Sequence, residues 1–393
     1  MQNKIAQALH EYVVEEEESL KKLNKEITQD TNFAISYDYD YVKEYLKQYN
    51  KNYKKTERKI KSNLKPKGKI LIILSYNEPF IMSIIPIMNA LIAGNEVLVK
   101  PSRKALEFFE RIWIHSEIKK DFELRLEIFE HSKEKLFKII PEMNAVYFFG
   151  GYENAIKLGS VCSESLVEFH PEVEAADCKI VYLENTSDEN IKKDIKLTIH
   201  DSLLHTGQSC QRIQGIFIND KYNEKYKDLL QLEIDRLIET KEIENYIPKD
   251  YQPNDFLIKT LDKQFQEIDK TNLIRANTKS GFPYLICNPP VNGEFIKSAQ
   301  FLPTLWISKY DELDNLINTL NSRRYKLGIN IFSDNKEVVQ KIIDSTNFTR
   351  FTTNTCHTFV RYDEGWGGIS PTGFNGYISW IEKFSYPYTV ISD

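Results

Sequence analysis

Cys210 follows a short polar turn, and the residue types around it are those of a thiol nucleophile. Residues 205–210 read His-Thr-Gly-Gln-Ser-Cys and lie between a helical pattern and the strand-like residues 212–218. An accessible cysteine thiolate adds to an electrophilic carbonyl carbon, although an isolated cysteine is more often an inert core residue. The polar turn favours the nucleophile, so we expect other segments to bring a cofactor, an oxyanion donor and a substrate to Cys210.

Two histidines suggest the alternative of a cysteine–histidine pair with hydrolase chemistry. An imidazole can activate a thiol as its general base, and His205 precedes Cys210 closely while His170 lies in an acidic segment. His205, however, falls at a predicted helix end, where a cation is already explained by the helix dipole. The hydrolase alternative is therefore the weaker one.

The elements that must position Cys210 alternate between short apolar runs and helical patterns. Residues 69–74 are nearly all apolar and too short for a helix, as in a strand buried on both faces of a parallel sheet. Further strands are predicted at 96–99, 124–129, 145–149, 166–169 and 179–183, and helices at 80–93, from 102, at 133–140 and at 153–161. This alternation predicts a parallel sheet that binds ligands beyond the carboxyl ends of its strands. Residues 75–79, 100–103 and 150–151 should then share one rim.

The rest of the chain divides into an N-terminal helical region and a second α/β region. Residues 1–60 repeat apolar positions at steps of three and four, which predicts helices. After Cys210 we predict strands at 213–218, 304–307 and 328–332, helices at 224–238 and 313–320, and a glycine-rich loop at 365–376. A length of 393 residues favours two domains over one.

Composition and cysteine spacing exclude several classes of protein. A formal net charge of -5 argues against a nucleic-acid partner, because such binding depends on clustered lysine and arginine. The five widely spaced cysteines suggest neither a disulfide framework nor a metal site, which fits a cytoplasmic protein. Residues 1–18 lack the apolar core of a signal peptide, and residues 80–93 are too short for a membrane span. We therefore expect a soluble protein without a membrane partner.

Short motifs in a familiar order run from residue 66 onwards. Residues 66–80 carry a turn, Tyr-Asn-Glu-Pro, similar to "WNxP", residues 93–102 are similar to "AGNxVxxKPS", and residues 207–210 fit "GQxC". Later matches to "VN", "GGxxxSG" and "FSHPY" lie at residues 353–354, 367–373 and 384–388. In this order, the motifs resemble the aldehyde dehydrogenase superfamily, and in particular its shorter class 3, fatty-aldehyde type.

The resemblance implies an α/β fold with a Rossmann-type cofactor domain and an α/β catalytic domain. It assigns residues 1–60 to a helical part of the cofactor domain and residues 61–180 to the Rossmann-like NAD(P)-binding domain. Residues 181–365 would form the catalytic domain, and residues 366–393 an active-site loop and an oligomerisation strand. A homodimer or larger homo-oligomer is therefore expected.

The resemblance also implies a chemical role for Cys210 and Asn77. The thiolate of Cys210 would add to an aldehyde, and the side-chain amide of Asn77 and the N–H of Cys210 would stabilise the thiohemiacetal anion. Loss of a hydride to a nicotinamide ring would leave an acyl thioester on Cys210. From the local sequence alone, Asn77 would instead be a turn residue before Glu78 and Pro79.

A set of residues along the predicted rim would contact the cofactor if the resemblance holds. The resemblance assigns this role to Ser75, Tyr76, Lys100, Ser102, Arg103, Gly150 and Gly151. NAD-preferring members commonly carry an acid where this chain has Arg103, so the cation favours NADP over NAD. The glycine pair would let the backbone approach a pyrophosphate, although an ordinary strand-to-helix turn explains it nearly as well.

The chain departs from the family at two acidic motifs. Where "ELGGK" supplies the general base, Glu172 and Glu168 are alternative candidates with Glu174 nearby, and a solvated loop is the competing interpretation of all three. At the "EIFGP" acid this chain has Ala299 or a shortened loop, with Glu294 the nearest carboxylate. The sequence thus supports the nucleophile better than the base.

Three functions are compatible with this pattern. The first is an NAD(P)-dependent oxidoreductase that converts an aldehyde substrate to an acid or acyl thioester through Cys210. The second is an NADPH-dependent reductase of acyl-CoA or another acyl thioester, suggested by the altered base motif and Arg103. The third is a non-catalytic structural or binding member of the superfamily, which the Gly-Gln-Ser-Cys motif of residues 207–210 disfavours.

Overall fold

The chain folds into two compact units, each with its own sheet. The computed structural model describes residues 2–130, 132–253, 255–266, 268–276, 278–291, 293–358 and 361–391. The first unit comprises Met1–Val173, Val360–Trp366 and Gly373–Asp393, and the second comprises Glu174–Phe359 and Gly367–Thr372. The assignment of functional roles to residues 1–60, 61–180, 181–365 and 366–393 stays a prediction.

Helices and strands alternate along much of the chain. The helices are α1 (Gln2–Glu15), α2 (Glu17–Thr28), α3 (Asn32–Asn63), α4 (Pro79–Ile92), α5 (Leu106–Glu110), α6 (Ile118–Asp121), α7 (Lys133–Ile139), α8 (Tyr152–Glu164), α9 (Asp188–Leu203), α10 (Asn223–Glu239), α11 (Asp255–Phe265), α12 (Glu294–Lys297), α13 (Leu313–Ser322), α14 (Lys336–Ser345) and α15 (Trp380–Lys383). The strands are β1 (Leu64–Pro66), β2 (Lys69–Leu74), β3 (Glu96–Pro101), β4 (Leu126–Ile128), β5 (Ala145–Gly150), β6 (Glu168–Val173), β7 (Cys178–Tyr182), β8 (Gly215–Asn219), β9 (Leu273–Arg275), β10 (Tyr284–Cys287), β11 (Thr304–Tyr310), β12 (Ile329–Ser333), β13 (Phe351–Thr353) and β14 (Ser385–Pro387).

The long helix α3 packs an aromatic face into the core of the first unit. It begins after Thr31, whose Oγ1 accepts a hydrogen bond from the N–H of Ala34 at 3.1 Å. Tyr39, Tyr45 and Tyr49 are buried in this core. Together α1, α2 and α3 occupy the region where the sequence predicts helices.

The first unit contains a parallel sheet in the order β4-β3-β2-β5-β6. Leu71 of the central strand β2 pairs with Leu98 of β3 and with Val146 of β5. Every residue of β2 after Lys69 is buried, as expected for a strand covered on both faces. Separately, β1 pairs antiparallel with β14. The parallel sheet predicted from the alternating pattern is confirmed.

The second unit contains a larger sheet in the order β13-β12-β7-β8-β11-β10-β9. Its pairs are parallel except that β9 runs antiparallel to β10. A Cβ added to Gly215 of β8 would lie 1.9 Å from the ring of Trp306, so glycine lets that indole fill the core. The same indole packs edge-on against Phe217, with ring centroids 4.9 Å apart.

Helix length and composition bear on membrane association. Within the described residues, no helix is both long enough and apolar enough to cross a bilayer.

Candidate active site

The nucleophile turn, residues 205–210, lies in the second unit between α9 and β8. His205 and Thr206 have φ angles of 56° and 54°, and Gly207 has a φ of 76°. Three successive left-handed residues are unusual, and this conformation is strained for the β-branched Thr206. The predicted helix end is close to the observed one, because α9 ends at Leu203, and His205 just beyond it is buried. Local strain of this kind concentrates at functional sites, in agreement with a nucleophile at Cys210.

Neighbouring segments of the second unit hold the nucleophile turn in place. The hydroxyl of Thr206 donates a hydrogen bond to the carbonyl oxygen of Tyr246 at 3.1 Å. A Cβ added to Gly207 would lie 2.4 Å from the carbonyl oxygen of Leu302, so a larger residue would displace the backbone. This glycine is therefore required both for its φ angle and for a close approach of two chain segments.

Exposure separates Cys210 from the buried cysteines. Cys162, Cys178 and Cys287 are buried, whereas Cys210 is partly exposed. Burial raises the pKa of Cys162 and of Cys178 to about 11. These thiols are therefore protonated and unreactive at neutral pH, while Cys210 is accessible to a reagent or substrate.

The second partly exposed cysteine, Cys356, is occupied as a hydrogen-bond donor. Its thiol donates to Oδ1 of Asp201 at 2.8 Å, and Oδ2 of Asp201 accepts from the N–H of His357 at 2.8 Å. Burial, together with the charge of Asp201, raises the pKa of Cys356 to about 12. His200 brings a third potential metal ligand within 4.8 Å of these atoms, but the hydrogen bonds already explain why Asp201 is buried. Cys356 is thus a suitable control for Cys210.

In the first unit, the predicted rim lies at the carboxyl ends of β2, β3 and β5. Residues 75–79 follow β2, Ser102 follows β3, and Gly151 follows β5. The N–H of Ser102 donates to the carbonyl oxygen of Leu74 at 2.9 Å, which joins the ends of β2 and β3. The expectation that these segments share one edge of the sheet is confirmed.

Asn77 lies in the turn that leads from β2 into α4. Ser75, Tyr76 and Asn77 are partly exposed, and Glu78 adopts a left-handed φ of 54° immediately before Pro79 starts the helix. The side chain of the N-cap residue Glu78 makes no capping hydrogen bond to the first turn of α4. Asn77 is therefore placed beside a helix N-terminus, where the backbone N–H groups and the helix dipole favour negative charge.

Two cations lie near the carboxyl end of β3, Lys100 within the strand and Arg103 two residues after it, and they have different surroundings. Lys100 is partly buried, and burial lowers the pKa of its ammonium. The side chain of Arg103 is 87% exposed, and its Nε donates to the carboxylate of Glu130, just beyond β4. An acid therefore lies beside Arg103 in space, although none follows it in the motif.

Gly150 and Gly151 connect β5 to α8. Gly151 is the N-cap of this 13-residue helix, and no side chain caps it. A Cβ on Gly150 would lie 2.7 Å from the ring of Phe148. Because the N-cap is a glycine, it offers no side chain of its own to the first N–H groups of α8, which fits a pyrophosphate.

Residues 168–173 of the acidic segment form β6 rather than a solvated loop, whereas Glu174 follows the strand and is partly exposed. Glu172 is 6% exposed, and its Oε2 accepts a hydrogen bond from Nζ of Lys383 at 3.1 Å. Burial raises the pKa of Glu172. A raised pKa suits a general base, whereas the ion pair provides a structural reason for the same residue. The assignment of Glu172 as the base stays a prediction.

Glu168 has three partners of its own in the first unit. Its carboxylate accepts from Lys67 at 2.5 Å and from Tyr386 at 2.8 Å, and it contacts Nε2 of His170 at 2.7 Å. Burial alone would raise the pKa of Glu168, but the hydrogen bonds from His170 and Lys67 outweigh it and lower this pKa to about 2. So acidic a carboxyl group is a weak base at neutral pH, which disfavours Glu168.

Lys383→Met is expected to lower the free energy of unfolding by roughly 3–5 kcal/mol, because it leaves Glu172 buried without its counter-ion. Urea denaturation of the full chain measures the effect. The double variant Glu172→Gln/Lys383→Met should recover most of the loss, since no buried charge is then unpaired. Lys138→Met, on the surface of α7, serves as the control, and an equal loss in both single variants would contradict the prediction.

Sequence reasoning missed three residues around these sites: Glu130, Arg212 and Lys383. Arg212 lies two positions after Cys210 and carries the one charge among the strand-like residues 212–218, which was a usable signal. Glu130 is 27 positions from its partner Arg103, and Lys383 is 211 positions from Glu172. Pairs so distant in sequence leave no local signal.

Known proteins with similar sequences include aldehyde dehydrogenases. The sequence model of the Aldehyde dehydrogenase family matches residues 1–245. A sulfoacetaldehyde dehydrogenase from Neptuniibacter caesariensis is 23% identical, over 83% of this chain and 72% of its own length. The chloroplastic aldehyde dehydrogenase family 3 member I1 of Arabidopsis thaliana is 22% identical, over 82% of this chain and 58% of its own length. The second match belongs to class 3, the type suggested by the motifs.

Solved structures show the same fold. Succinic semialdehyde dehydrogenase from Streptococcus pyogenes, in complex with NADP+, aligns with a TM-score of 0.82 at 14% identity, covering 100% of this chain and 90% of that chain. The substrate-bound AldH of Staphylococcus aureus aligns with a TM-score of 0.80 at 16% identity, again covering 100% of this chain and 90% of that chain. The predicted α/β fold is confirmed.

Proposed function

Because this chain belongs to the aldehyde dehydrogenase family, we propose that it oxidises an aldehyde through Cys210, with NADP or NAD as the hydride acceptor. The observation that carries the proposal is the nucleophile turn, which presents a partly exposed thiol on strained left-handed backbone. The motif of residues 207–210 supports the same residue. The non-catalytic alternative offers no reason for this strain.

Cys210 would act as the nucleophile. Its thiolate attacks the aldehyde carbon and forms a carbon–sulfur bond, and the carbonyl oxygen becomes an anion. The side-chain amide of Asn77 and the N–H of Cys210 are proposed to donate hydrogen bonds to this oxygen. Loss of a hydride from the former aldehyde carbon, to the acceptor that the bound oxidised cofactor would supply, would leave an acyl thioester on Cys210.

The rim of the first unit fits a dinucleotide. The N-termini of α4 and α8, whose N-cap residues make no side-chain cap, suit phosphate oxygens, and Lys100 adds a cation at the end of β3. We propose that Ser75, Tyr76 and Ser102 complete this binding surface. A dinucleotide held there would supply the nicotinamide as hydride acceptor. The residues themselves hold the dinucleotide and keep its phosphates at the edge of the sheet.

Cofactor preference should depend on the pair of Arg103 and Glu130. Arg103→Glu should shift the ratio of kcat/KM for NADP to that for NAD by about tenfold towards NAD, because a carboxylate repels the 2'-phosphate. Glu130→Gln should shift the ratio towards NADP, since it frees the guanidinium. Initial rates with both cofactors measure the ratio, and Glu134→Gln on α7 is the control. An unchanged ratio in both variants would argue against a role for Arg103 in cofactor choice.

A second candidate function concerns the fate of the thioester. The ion pair between Glu172 and Lys383 occupies one carboxylate oxygen of the predicted base, and the lowered pKa of Glu168 disfavours it as a replacement. These contacts favour transfer to a second thiol, or the reverse reduction of an acyl thioester such as acyl-CoA to an aldehyde. If Glu172 is the base, Glu172→Gln should abolish the release of free acid. The first-turnover burst of NADH or NADPH formation should remain, because it precedes hydrolysis of the thioester.

Assays in both directions distinguish the two candidates. The full chain is incubated with a series of aldehydes and NAD or NADP, and separately with acyl-CoA and NADPH. Faster aldehyde-dependent reduction of NAD or NADP supports the proposed oxidation of an aldehyde. Faster oxidation of NADPH in the presence of acyl-CoA supports the reductase. Absence of both reactions, with no labelling of Cys210 by an aldehyde probe, would favour the non-catalytic alternative.

We further propose that the chain forms a homo-oligomer. Light scattering tests this proposal, and a monomer would contradict it.

A further inference from the structure

Arg212 is a fully buried cation two residues after the nucleophile. Its side chain lies inside the second unit with 0% exposure. A buried arginine normally pairs with a carboxylate, because an uncompensated charge in a protein interior is costly. In the described part of the second unit, however, every hydrogen-bond acceptor of this guanidinium is a backbone carbonyl. Because burying this charge costs free energy, the arrangement needs a structural or functional reason.

The guanidinium joins the nucleophile turn to a second segment of the chain. One terminal nitrogen, Nη1, donates to the carbonyl oxygens of Gly207, Gln300 and Leu302, and Nη2 donates to that of Thr304. The distance from Nη1 to the oxygen of Gly207 is 3.3 Å. Arg212 thus bridges the residues just before Cys210 and the segment of residues 300–304.

Two neighbouring contacts fix the same segment. Gly207 approaches the backbone of Leu302 so closely that no Cβ fits between them. On the other side, Oε1 of Gln214 accepts a hydrogen bond from the N–H of Gln300 at 3.0 Å. Contacts to residues 300–304 therefore flank the nucleophile turn. Arg212 makes more of these contacts than Gly207 or Gln214.

The charge of Arg212 has no counter-ion among these partners. Carbonyl dipoles orient the guanidinium but leave its net positive charge in place, and an interior of low dielectric screens that charge weakly. Burial lowers the pKa of Arg212 to about 9, so the group stays charged at neutral pH. A cation near a cysteine favours the thiolate over the thiol, and it also favours an anion that forms on the attacked carbonyl.

We propose that Arg212 is a positioning residue for Cys210, which fixes the backbone of the nucleophile turn and supplies an uncompensated positive charge that favours the thiolate. This inference rests on the proposed role of Cys210 but not on the identity of the substrate. Arg212 does not touch the reacting atoms in this assignment. It acts through the carbonyl of Gly207 and through its field at the thiol.

Alkylation of Cys210 by iodoacetamide tests the inference without any turnover. Arg212→Met removes the charge and the donors at similar volume, and it should slow alkylation at neutral pH by about tenfold or more and lower kcat at least as much. Arg212→Lys keeps the positive charge but loses the planar set of guanidinium donors. It should therefore recover much of the alkylation rate while kcat stays low. The site of alkylation is read by peptide mass spectrometry.

Arg323→Met is the matched control. Arg323 is also buried in the second unit, and it donates to the carbonyl oxygen of Ile296 at 2.6 Å rather than to the nucleophile turn. Thermal unfolding is measured for every variant. Alkylation slowed in Arg212→Met but changed by less than about twofold in Arg323→Met supports the inference. Equal rates in the two variants, or wild-type alkylation in Arg212→Met, would overturn it.

Two further outcomes are distinguishable. If Arg212→Met does not fold, Arg212→Lys carries the test alone, and wild-type alkylation with wild-type kcat in that variant would overturn the inference. If the wild-type protein oxidises no aldehyde, the proposed function fails. The alkylation comparison still decides whether Arg212 controls the reactivity of Cys210.

Discussion

Replacing Cys210 with alanine is expected to reduce the aldehyde-dependent formation of NADH or NADPH by at least about a thousandfold, because the covalent route through the thiohemiacetal is then closed. The substitution removes one small, partly exposed side chain. Stability should therefore change little, and thermal unfolding should remain close to that of the wild type. Steady-state assays with the best aldehyde measure the loss.

Cys356→Ala provides the comparison within the same unit. Cys356 is the other partly exposed cysteine, but its thiol donates to Asp201. This variant should keep most of its activity and lose some stability, because a buried carboxylate oxygen then lacks one donor. A Cys210→Ala enzyme with wild-type turnover, or a Cys356→Ala enzyme that is fully inactive yet folded, would contradict the choice of nucleophile.

Asn77→Ala is expected to lower kcat by about a hundredfold or more, with a smaller change in KM, because the lost donor stabilises the anion of the transition state rather than the bound aldehyde. Alkylation of Cys210 should continue at the wild-type rate, since the amide is not proposed to stabilise the thiolate. This combination of results would separate an oxyanion donor from a residue that merely shapes a turn.

Asn52→Ala on α3 is a matched asparagine substitution elsewhere in the first unit. The side-chain amide of Asn52 donates to the carbonyl oxygen of Gln48 at 2.8 Å, so its loss should affect stability slightly and kcat hardly at all. If Asn77→Ala changed only stability, as Asn52→Ala should, Asn77 would be a turn residue and the oxyanion would need another donor.

Periodicity predicted the elements that are long or central in a sheet. Strand β2 and helices α4, α8 and α10 lie close to their predicted positions, because burial on both faces or along one stripe imposes a strong pattern. Short edge elements such as β9 and β13 have three residues each. Three residues cannot carry a periodic signal, so these strands follow from tertiary contacts alone.

The candidate site was predictable as far as its chemistry lies in contiguous motifs. The motif of residues 207–210 and the turn at Asn77 are local, and the structure shows the strained backbone and the helix N-terminus beside them. The prediction for the acidic segment was less accurate. The charge of Glu172 suggested a solvent-exposed side chain, whereas the ion pair with Lys383 allows Glu172 to be buried in β6. A buried ion pair formed across the chain cannot be inferred from either partner alone.

The closure of the first unit by residues 373–391 has a consequence for biosynthesis. Trp380 and Phe384 belong to its hydrophobic core, and β14 completes a sheet with β1. The second unit uses residues up to Thr372, all of which leave the ribosome earlier. Synthesis of the first unit therefore starts before that of the second and is completed after it. The incomplete core of the first unit stays accessible to chaperones, or to aggregation, throughout the synthesis of the second unit.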